Sequence, residues 1–175
     1  IKECNKTINN MAKSKIGTIL DYSVEGEDNE QSFDKTASEI LLTIEKASQT
    51  EGIPFSVFKV TGIGSTPLME KIQAGEPLTS NEQAAFERLK VRVDQLCQKA
   101  HDLDVKIFVD AEESWIQDVI DQLAYKAMQK YNTKKPIVYN TFQMYRRDML
   151  ENLKKATHEA KVDGYILGAK LVRGA

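Results

Sequence analysis

Short apolar runs alternate along the chain with longer stretches in which apolar residues recur every three or four positions. The short runs are rich in β-branched and aromatic residues, which is typical of strands, and the longer stretches have the periodicity of helices that bury one side. The segment 1–15 is predicted to be a helical lead-in. The predicted strands cover residues 16–24, 53–60, 105–109, 137–143 and 165–172, and the predicted helices cover 28–49, 66–73, 81–102, 115–131 and 147–162.

The order of these elements predicts an α/β fold. Strand and helix follow each other four times, a fifth strand comes last, and the strand starts are roughly 30 to 50 residues apart, which is the spacing of βα units. Right-handed crossovers of this length give a parallel sheet with helices outside it. A doubly wound sheet and a (β/α)8 barrel both satisfy the pattern, but no glycine-rich dinucleotide fingerprint follows the first strand. We therefore expect a partial (β/α)8 TIM barrel of about five parallel strands with outer helices.

Charged or amide side chains lie at or just beyond the ends of all five predicted strands. The third strand is the clearest example, because a largely apolar run is followed at once by acidic residues. A buried carboxylate without a partner costs several kcal/mol, so packing alone does not explain these acids. In a βα barrel the carboxyl ends of the strands form the face that carries the active site. The side chains expected at this rim are Glu25, Lys59, Asp110, Glu112, Gln143, Lys170 and Arg173.

Composition excludes several classes of protein. The chain has 175 residues, 24 Lys plus Arg and 26 Asp plus Glu, so its formal net charge is -2 and nucleic acid is not an expected partner. No apolar run reaches the ~18–20 residues that span a membrane. Cys4 and Cys97 are far apart and lack metal-binding spacing, so neither a disulfide nor a metal site is expected from them.

A rim that carries both signs of charge suits two kinds of ligand. It can bind a zwitterionic small molecule, with a cation for the carboxylate and an acid for the amine, or place a cation beside an electron-rich cofactor. The structural alternative is that polar residues gather at solvated strand ends without any function. A metal site formed by Glu25, Asp110 and Glu112 is less favoured, because the lysines between them compete with the ion.

Three runs of the chain resemble the proline dehydrogenase family. Residues 108–115 (FVDAEESW), 139–145 (YNTFQMY) and 168–175 (GAKLVRGA) are similar to three strand motifs of that family, in the same order and at similar intervals. A weaker similarity continues back to Lys59 and Glu25. Lys170 in combination with Arg173 resembles the mitochondrial-type branch and its bacterial relatives.

The resemblance implies an FAD-dependent barrel that oxidises L-proline to 1-pyrroline-5-carboxylate and passes electrons to quinone or another acceptor at a membrane. Asp110 and Lys170 match the catalytic positions, and the Lys170 cation would stabilise negative charge on the reduced flavin. Lys59 matches a residue that binds the substrate carboxylate, with Asp110 expected to hold this lysine, and Glu25 matches an acid that orients a substrate-binding arginine. The positions that match flavin contacts are Ala111, Gln143, Val172, Arg173, Gly174 and Ala175.

The chain also departs from the family pattern. It ends before the tyrosine and the acidic residue that follow the third motif, and before three further βα units. We therefore expect residues 16–175 to form the first half of the barrel, truncated at the fifth strand, inactive alone and prone to self-association through its open edges. The expected location is the bacterial cytoplasm with peripheral membrane contact, or the mitochondrion in a eukaryote.

Two other function classes remain open. The chain can belong to a different βα-barrel enzyme in which Lys59 or Lys170 forms a Schiff base with a carbonyl substrate. It can also be a non-catalytic βα module whose rim binds a partner. Borohydride trapping tests the first class. Unchanged activity of the full-length protein after mutation of Asp110 and Lys170 would favour the second.

Overall fold

One parallel sheet forms the centre of this computed structural model, which describes residues 4–22 and 28–174. The strands lie side by side in chain order, and every neighbouring pair is parallel. Sequential order of parallel strands is the arrangement of a (β/α)8 barrel, so the predicted α/β class with five parallel strands is confirmed. The strands are β1 (Ile19–Asp21), β2 (Phe55–Phe58), β3 (Lys106–Val109), β4 (Val138–Gln143) and β5 (Ala169–Val172).

Helices connect the strands, and their ends follow from local sequence. Asn29 accepts a hydrogen bond from the Ser32 backbone N–H at the start of the second helix, and Thr79 and Glu82 form a capping box at the start of the fourth. Gly164, with φ of 77°, ends the sixth helix. The helices are α1 (Asn5–Lys13), α2 (Glu30–Ser48), α3 (Thr66–Gln73), α4 (Ser80–Asp102), α5 (Gln117–Tyr131) and α6 (Met149–Asp163), and a 3-10 turn covers Val60–Gly62.

The outer face of the sheet, which we define as the face against the helices, carries the hydrophobic core. The residues of β2, β3 and β4 on this face are fully buried together with residues of α2, α4 and α5. Burial of apolar surface is the main stabilising contribution to folding, so this face holds the sheet together. Its fully buried strand residues include Phe58, Ile107, Val109 and Val138.

The inner face, which we define as the opposite face, is aromatic at one end and charged at the other. The Phe55 and Phe108 rings stack with centroids 4.3 Å apart, and the Tyr139 ring packs edge-on at 5.5 Å from Phe55. Lys170 lies beside Thr141 in the ladder, on the same face as Tyr139. The sheet therefore separates an apolar face, which packs against helices, from a face able to contact ligands.

All five strands are shorter than the sequence predicts, and β2 covers only Phe55–Phe58 where residues 53–60 are expected. β1 covers three residues where residues 16–24 are expected, and β5 covers four where 165–172 are expected. Asn132, fully buried after α5, explains the late start of β5. Its side-chain amide donates to Val138 O and Ile166 O, and its oxygen accepts from the Ile137 and Val138 N–H groups. These side-chain bonds take the place of the ladder before Ala169.

Within the described segments no helix is both long enough and apolar enough to cross a membrane. Ile8 of α1 is buried in the main core, so the predicted lead-in packs against the sheet domain.

Candidate active site

Asp110 and Lys170 form an ion pair on the inner face, at the carboxyl edge of the sheet. Lys170 Nζ donates to Asp110 Oδ1 over 2.7 Å, and the Thr141 hydroxyl of the strand between them lies 3.3 Å from the same oxygen. The Ala111 backbone N–H donates to this oxygen over 3.2 Å, and the ammonium group lies 5.2 Å from the centre of the Phe108 ring. The side chains of Lys170 and Asp110 are only 29% and 24% exposed, so the pair is partly shielded from water.

This pairing was not part of the sequence prediction. The resemblance predicts that Asp110 holds Lys59, and the structure shows an ion pair between Asp110 and Lys170. Lys59 follows β2 at the same edge and is half-buried. The two lysines therefore lie on the same side of the sheet as the carboxylate, and Asp110 is bonded to the one on β5.

Asp21, the last residue of β1, is a further acid at this edge. Its ladder partner is Val57, so its side chain is on the inner face. The side chain keeps contact with solvent, but partial loss of hydration raises the pKa of its carboxyl. The charges of Lys59 and Lys170 oppose this rise in pKa, and the charge of Asp110 adds to it. Charged groups from four strands thus act on each other.

Sequence reasoning missed Asp21 although a signal was present. Alternation along the strand puts Asp21 on the same side as Ile19, and an acid within such a run is as unusual as the acids after β3. The prediction of a strand through residue 24 instead assigns the strand end to Glu25, which lies outside the described residues.

The loop after β3 is bonded to the neighbouring strand ends. Glu112 accepts hydrogen bonds from the Thr61 backbone N–H, over 3.1 Å, and from the Thr61 hydroxyl. Burial raises the pKa of the Glu112 carboxyl, and the bonds from Thr61 oppose this rise. The Gln143 side-chain amide donates to the Glu112 carbonyl over 2.9 Å. These bonds hold the loops after β2 and β3 to the end of β4.

An open cleft of about 740 Å³ lies at this edge, in the size range of small-molecule sites. Ala111 and Gln143, two of the predicted flavin contacts, line it together with Lys59, a predicted substrate residue. Its other lining residues include Thr61, Glu112, Trp115 and Tyr145. The cleft thus joins the β3 loop, the end of β4 and the predicted substrate lysine in one space.

The remaining predicted contacts lie at or beyond the end of β5. Val172 pairs with Gln143 in the ladder and is half-buried. Arg173 and Gly174 are exposed, and a Cβ added at Gly174 would meet no described atom within 4 Å. Ala175, like Glu25, lies outside the described residues.

Metal ligands are not grouped in the described part of the chain. Over residues 4–22 and 28–174, no three His, Cys, Asp or Glu side chains are placed to hold a metal ion. Glu25, a member of the less favoured metal alternative, is not among these residues. Cys97 is a buried free thiol and Cys4 is half-buried and free.

Comparison with known proteins assigns the chain to a family. The family model described as proline dehydrogenase matches residues 4–175. The chain is 33% identical over its whole length to carbapenem antibiotics biosynthesis protein CarD of Pectobacterium carotovorum subsp. carotovorum, and covers 46% of that protein. It is 31% identical, again with its whole length aligned, to mitochondrial proline dehydrogenase 1 of Dictyostelium discoideum, and covers 37% of it. The chain therefore spans less than half the length of these relatives.

Solved structures give the same fold. Proline utilization A from Bdellovibrio bacteriovorus, inactivated by N-propargylglycine, matches 99% of the chain with a TM-score of 0.80 at 16% identity, over 19% of its own chain. Proline utilization A from Corynebacterium freiburgense matches 100% of the chain with a TM-score of 0.68 at 16% identity, over 17% of its own chain. With a family model that matches nearly every residue, the chain belongs to the proline dehydrogenase family.

Proposed function

We propose that this chain contributes the first half of an active site that oxidises L-proline to 1-pyrroline-5-carboxylate with FAD. The observation that carries the proposal is the ion pair between Asp110 and Lys170, beside the cleft lined by Ala111 and Gln143. Each of these residues falls in one of the three motifs that resemble the family. Their side chains meet at the carboxyl edge of a parallel sheet, where barrel enzymes place their chemistry.

The residues at this edge fit a flavin. An isoalloxazine ring is flat and has hydrogen-bonding groups along its pyrimidine side, so it needs a cleft that offers a polar side chain beside the ring. The Ala111 methyl group leaves space in the cleft, and the Gln143 amide is fixed there by its bond to the Glu112 carbonyl. The cation of Lys170 suits a group that gains negative charge on reduction. A bound flavin supplies the acceptor for the two electrons removed from proline.

The chain's own residues prepare the substrate. Lys59 binds the proline carboxylate through its ammonium group. Asp110 accepts a proton from the proline amine, which must be neutral before its carbon–nitrogen bond is oxidised. The bond to Lys170 and the nearby hydroxyl of Thr141 fix the direction in which the carboxylate points. We assign Glu25 to the orientation of a substrate arginine, and Val172, Arg173, Gly174 and Ala175 to flavin contacts.

The proposed function assigns a part of the barrel to each segment of the chain. Residues 1–15 are a lead-in, and residues 16–175 are the first half of a barrel that further βα units complete. In the described part of the chain, β1 and β5 each pair with one strand only. Ile19 and Leu171 on these edge strands are 47% and 57% exposed. The chain alone accordingly binds flavin weakly, oxidises no proline and self-associates, and a monomeric light-scattering mass at high concentration would contradict the last point.

Electrons from the reaction pass to quinone or another acceptor through peripheral contact with a membrane. Relatives from Dictyostelium discoideum, Arabidopsis thaliana and Homo sapiens are named as mitochondrial proteins. The corresponding location for this chain is the mitochondrion if its source is eukaryotic, and the bacterial cytoplasm, peripheral to the membrane, if it is not.

The test uses the full-length protein that carries this chain. We expect a flavin absorbance spectrum at near one flavin per protein and reduction of an electron-accepting dye that depends on L-proline. A protein without flavin and without proline-dependent reduction contradicts the proposal. Borohydride trapping of a carbonyl substrate on Lys59 or Lys170 would instead support the Schiff-base class.

A further inference from the structure

Two glutamine side chains bind the main chain of one residue, Glu112, in the β3–α5 loop, which we define as residues 110–116. The Gln143 side chain, on the inner face of β4, donates to the Glu112 carbonyl over 2.9 Å. The Gln117 side chain, at the start of α5, accepts from the Glu112 backbone N–H over 2.8 Å. The main chain of Glu112 is therefore held at both its carbonyl and its N–H group.

Asp121 lies one turn further along α5 and binds the other end of Gln117. Gln117 Nε2 donates to Asp121 Oδ1 over 2.7 Å, and Asn140 Nδ2 of β4 donates to the same oxygen over 2.8 Å. Gln117 and Asn140 are 2% and 0% exposed, so water has little access to these amides. The bonds form a closed path that begins and ends on β4, through Asn140, Asp121, Gln117, Glu112 and Gln143.

These hydrogen bonds determine the orientation of the Gln117 side-chain amide. An amide presents an oxygen on one side and an NH2 group on the other, and the two orientations have nearly the same shape. Because the Asp121 carboxylate only accepts hydrogen bonds, it selects the orientation in which Gln117 directs its NH2 group toward α5. The Gln117 oxygen is then left to accept from Glu112. Without Asp121, the amide can turn its NH2 group against that N–H.

The surroundings of Asp121 support a specific role. Burial raises the pKa of its carboxyl, the bonds from Asn140 and Gln117 oppose this rise, and so does the charge of Arg146, while Asp118 adds to it. Asp121 is partly buried and accepts hydrogen bonds from two side-chain amides. Burial of its charge lowers the stability of the fold, and loss of these hydrogen bonds would lower it further. Solvation does not explain an acid at this position.

We propose that Asp121 is a positioning residue for the candidate active site. It orients Gln117, which holds Glu112, and so fixes the β3–α5 loop against Gln143. The effect on flavin binding rests on the proposed function, because Ala111 and Gln143 are assigned there as flavin contacts. The effect on the loop itself does not depend on any ligand.

Trp115, the only tryptophan of the chain, lies in the β3–α5 loop and reports on its order. We would measure time-resolved fluorescence anisotropy of Trp115 in this chain for the wild type, Asp121→Leu and Asp121→Asn. Asp121→Leu should lower the residual anisotropy about twofold, because the loop gains motion on the nanosecond timescale. Asp121→Asn should keep the wild-type value, because one amide oxygen can accept both N–H bonds. Asp118→Leu, an exposed position on the same helix, is the matched control.

The functional consequence is measured on the full-length protein. Asp121→Leu should raise the dissociation constant for FAD about tenfold, the cost of one lost hydrogen bond, and Asp121→Asn should restore it. A folded Asp121→Leu protein with wild-type anisotropy overturns the inference. If that variant does not fold, Gln117→Met removes the same hold on Glu112 and replaces it in both measurements. Failure of the wild type to bind flavin contradicts the proposed function, and the anisotropy still tests the role of Asp121.

Discussion

The outer face of the sheet stabilises the fold, whereas the inner face carries the candidate active-site residues. On the outer face, apolar residues such as Ile107 and Val138 are fully buried under the helices. On the inner face, Asp110 and Lys170 meet at the carboxyl edge and remain partly exposed. Because neighbouring residues of a strand point to opposite faces, one strand supplies both functions. Substitutions one residue apart should therefore have separable effects on stability and on activity.

The largest effect is expected at the charged end of the inner face. Lys170→Met in the full-length protein should lower kcat/KM for proline about a thousandfold, roughly 4 kcal/mol, because the cation that stabilises developing negative charge is lost. Dye reduction measures this rate. Lys106→Met makes the same change at the other end of the inner face, where the ammonium lies 5.3 Å from the centre of the Phe55 ring, and should change the rate less than threefold. Equal losses in the two variants would contradict the assignment.

The outer face should show the opposite result. Ile107→Ala should lower the free energy of unfolding by about 3 kcal/mol, because it leaves a cavity in a fully buried site. Urea denaturation measures the loss. Ile19→Ala removes the same atoms from a side chain that is 47% exposed on the inner face of β1, so about 0.5 kcal/mol is expected. If the two variants lose equal stability, the division between the faces is wrong.

Gly168 and Gly174, both in the third motif, should also differ in their effects on stability and on flavin binding. A Cβ at Gly168 would lie 2.2 Å from Val138 O, so Gly168→Ala should cost about 2 kcal/mol of stability through forced movement of β4 or β5. A Cβ at Gly174 would meet no described atom within 4 Å, so Gly174→Ala should leave the free energy of unfolding nearly unchanged. Gly174→Ala should instead weaken FAD binding in the full-length protein, which a flavin titration measures. A stable Gly168→Ala variant would show that the strands separate easily.

The smallest effect concerns ion pairs among the helices. Hydrogen bonds from Arg88 and then Arg92 lower the pKa of Glu30 to about 2, from an ordinary value of 4.5. A lowered pKa in the folded state means that Glu30 contributes stability above about pH 4.5 and loses it as the pH falls toward 2. Because the side chain is 40% exposed, solvent screening limits this contribution to about 1 kcal/mol.

Glu30→Gln should therefore lower stability near neutral pH and flatten its decline between pH 4.5 and 2, measured by urea denaturation at each pH. Glu51→Gln, at an exposed glutamate, is the control. An unchanged pH profile in Glu30→Gln would mean that its ion pairs do not stabilise the fold.

Local sequence predicted the elements better than the contacts between them. Alternation and βα spacing were sufficient for five parallel strands and for the placement of Asp110 and Lys170 at one edge of the sheet. The late start of β5 depends on the side chain of Asn132, which binds Ile166, 34 positions away, and no local pattern reports such a bond. The role of Asp121 is similar, because an acid within an amphipathic helix normally faces solvent.

The sequence also did not predict which charged side chains form an ion pair at this edge. The strand ends predicted that Lys59, Asp110 and Lys170 share one edge, but the ion pair between Asp110 and Lys170 depends on the strand register. Asp21 shows the converse case. Its position on the inner face was available from alternation, but an error of three residues in the end of β1 concealed it.

A double-mutant cycle on Asp110 and Lys170 tests the central claim most directly. The full-length protein would carry Asp110→Asn, Lys170→Met or both, and kcat/KM for proline would be measured for each. If the ion pair acts as one unit, each single variant loses about a thousandfold and the double variant loses little more. Single variants that bind flavin and keep wild-type kcat/KM would contradict the claim that this pair is the chemical centre of the site.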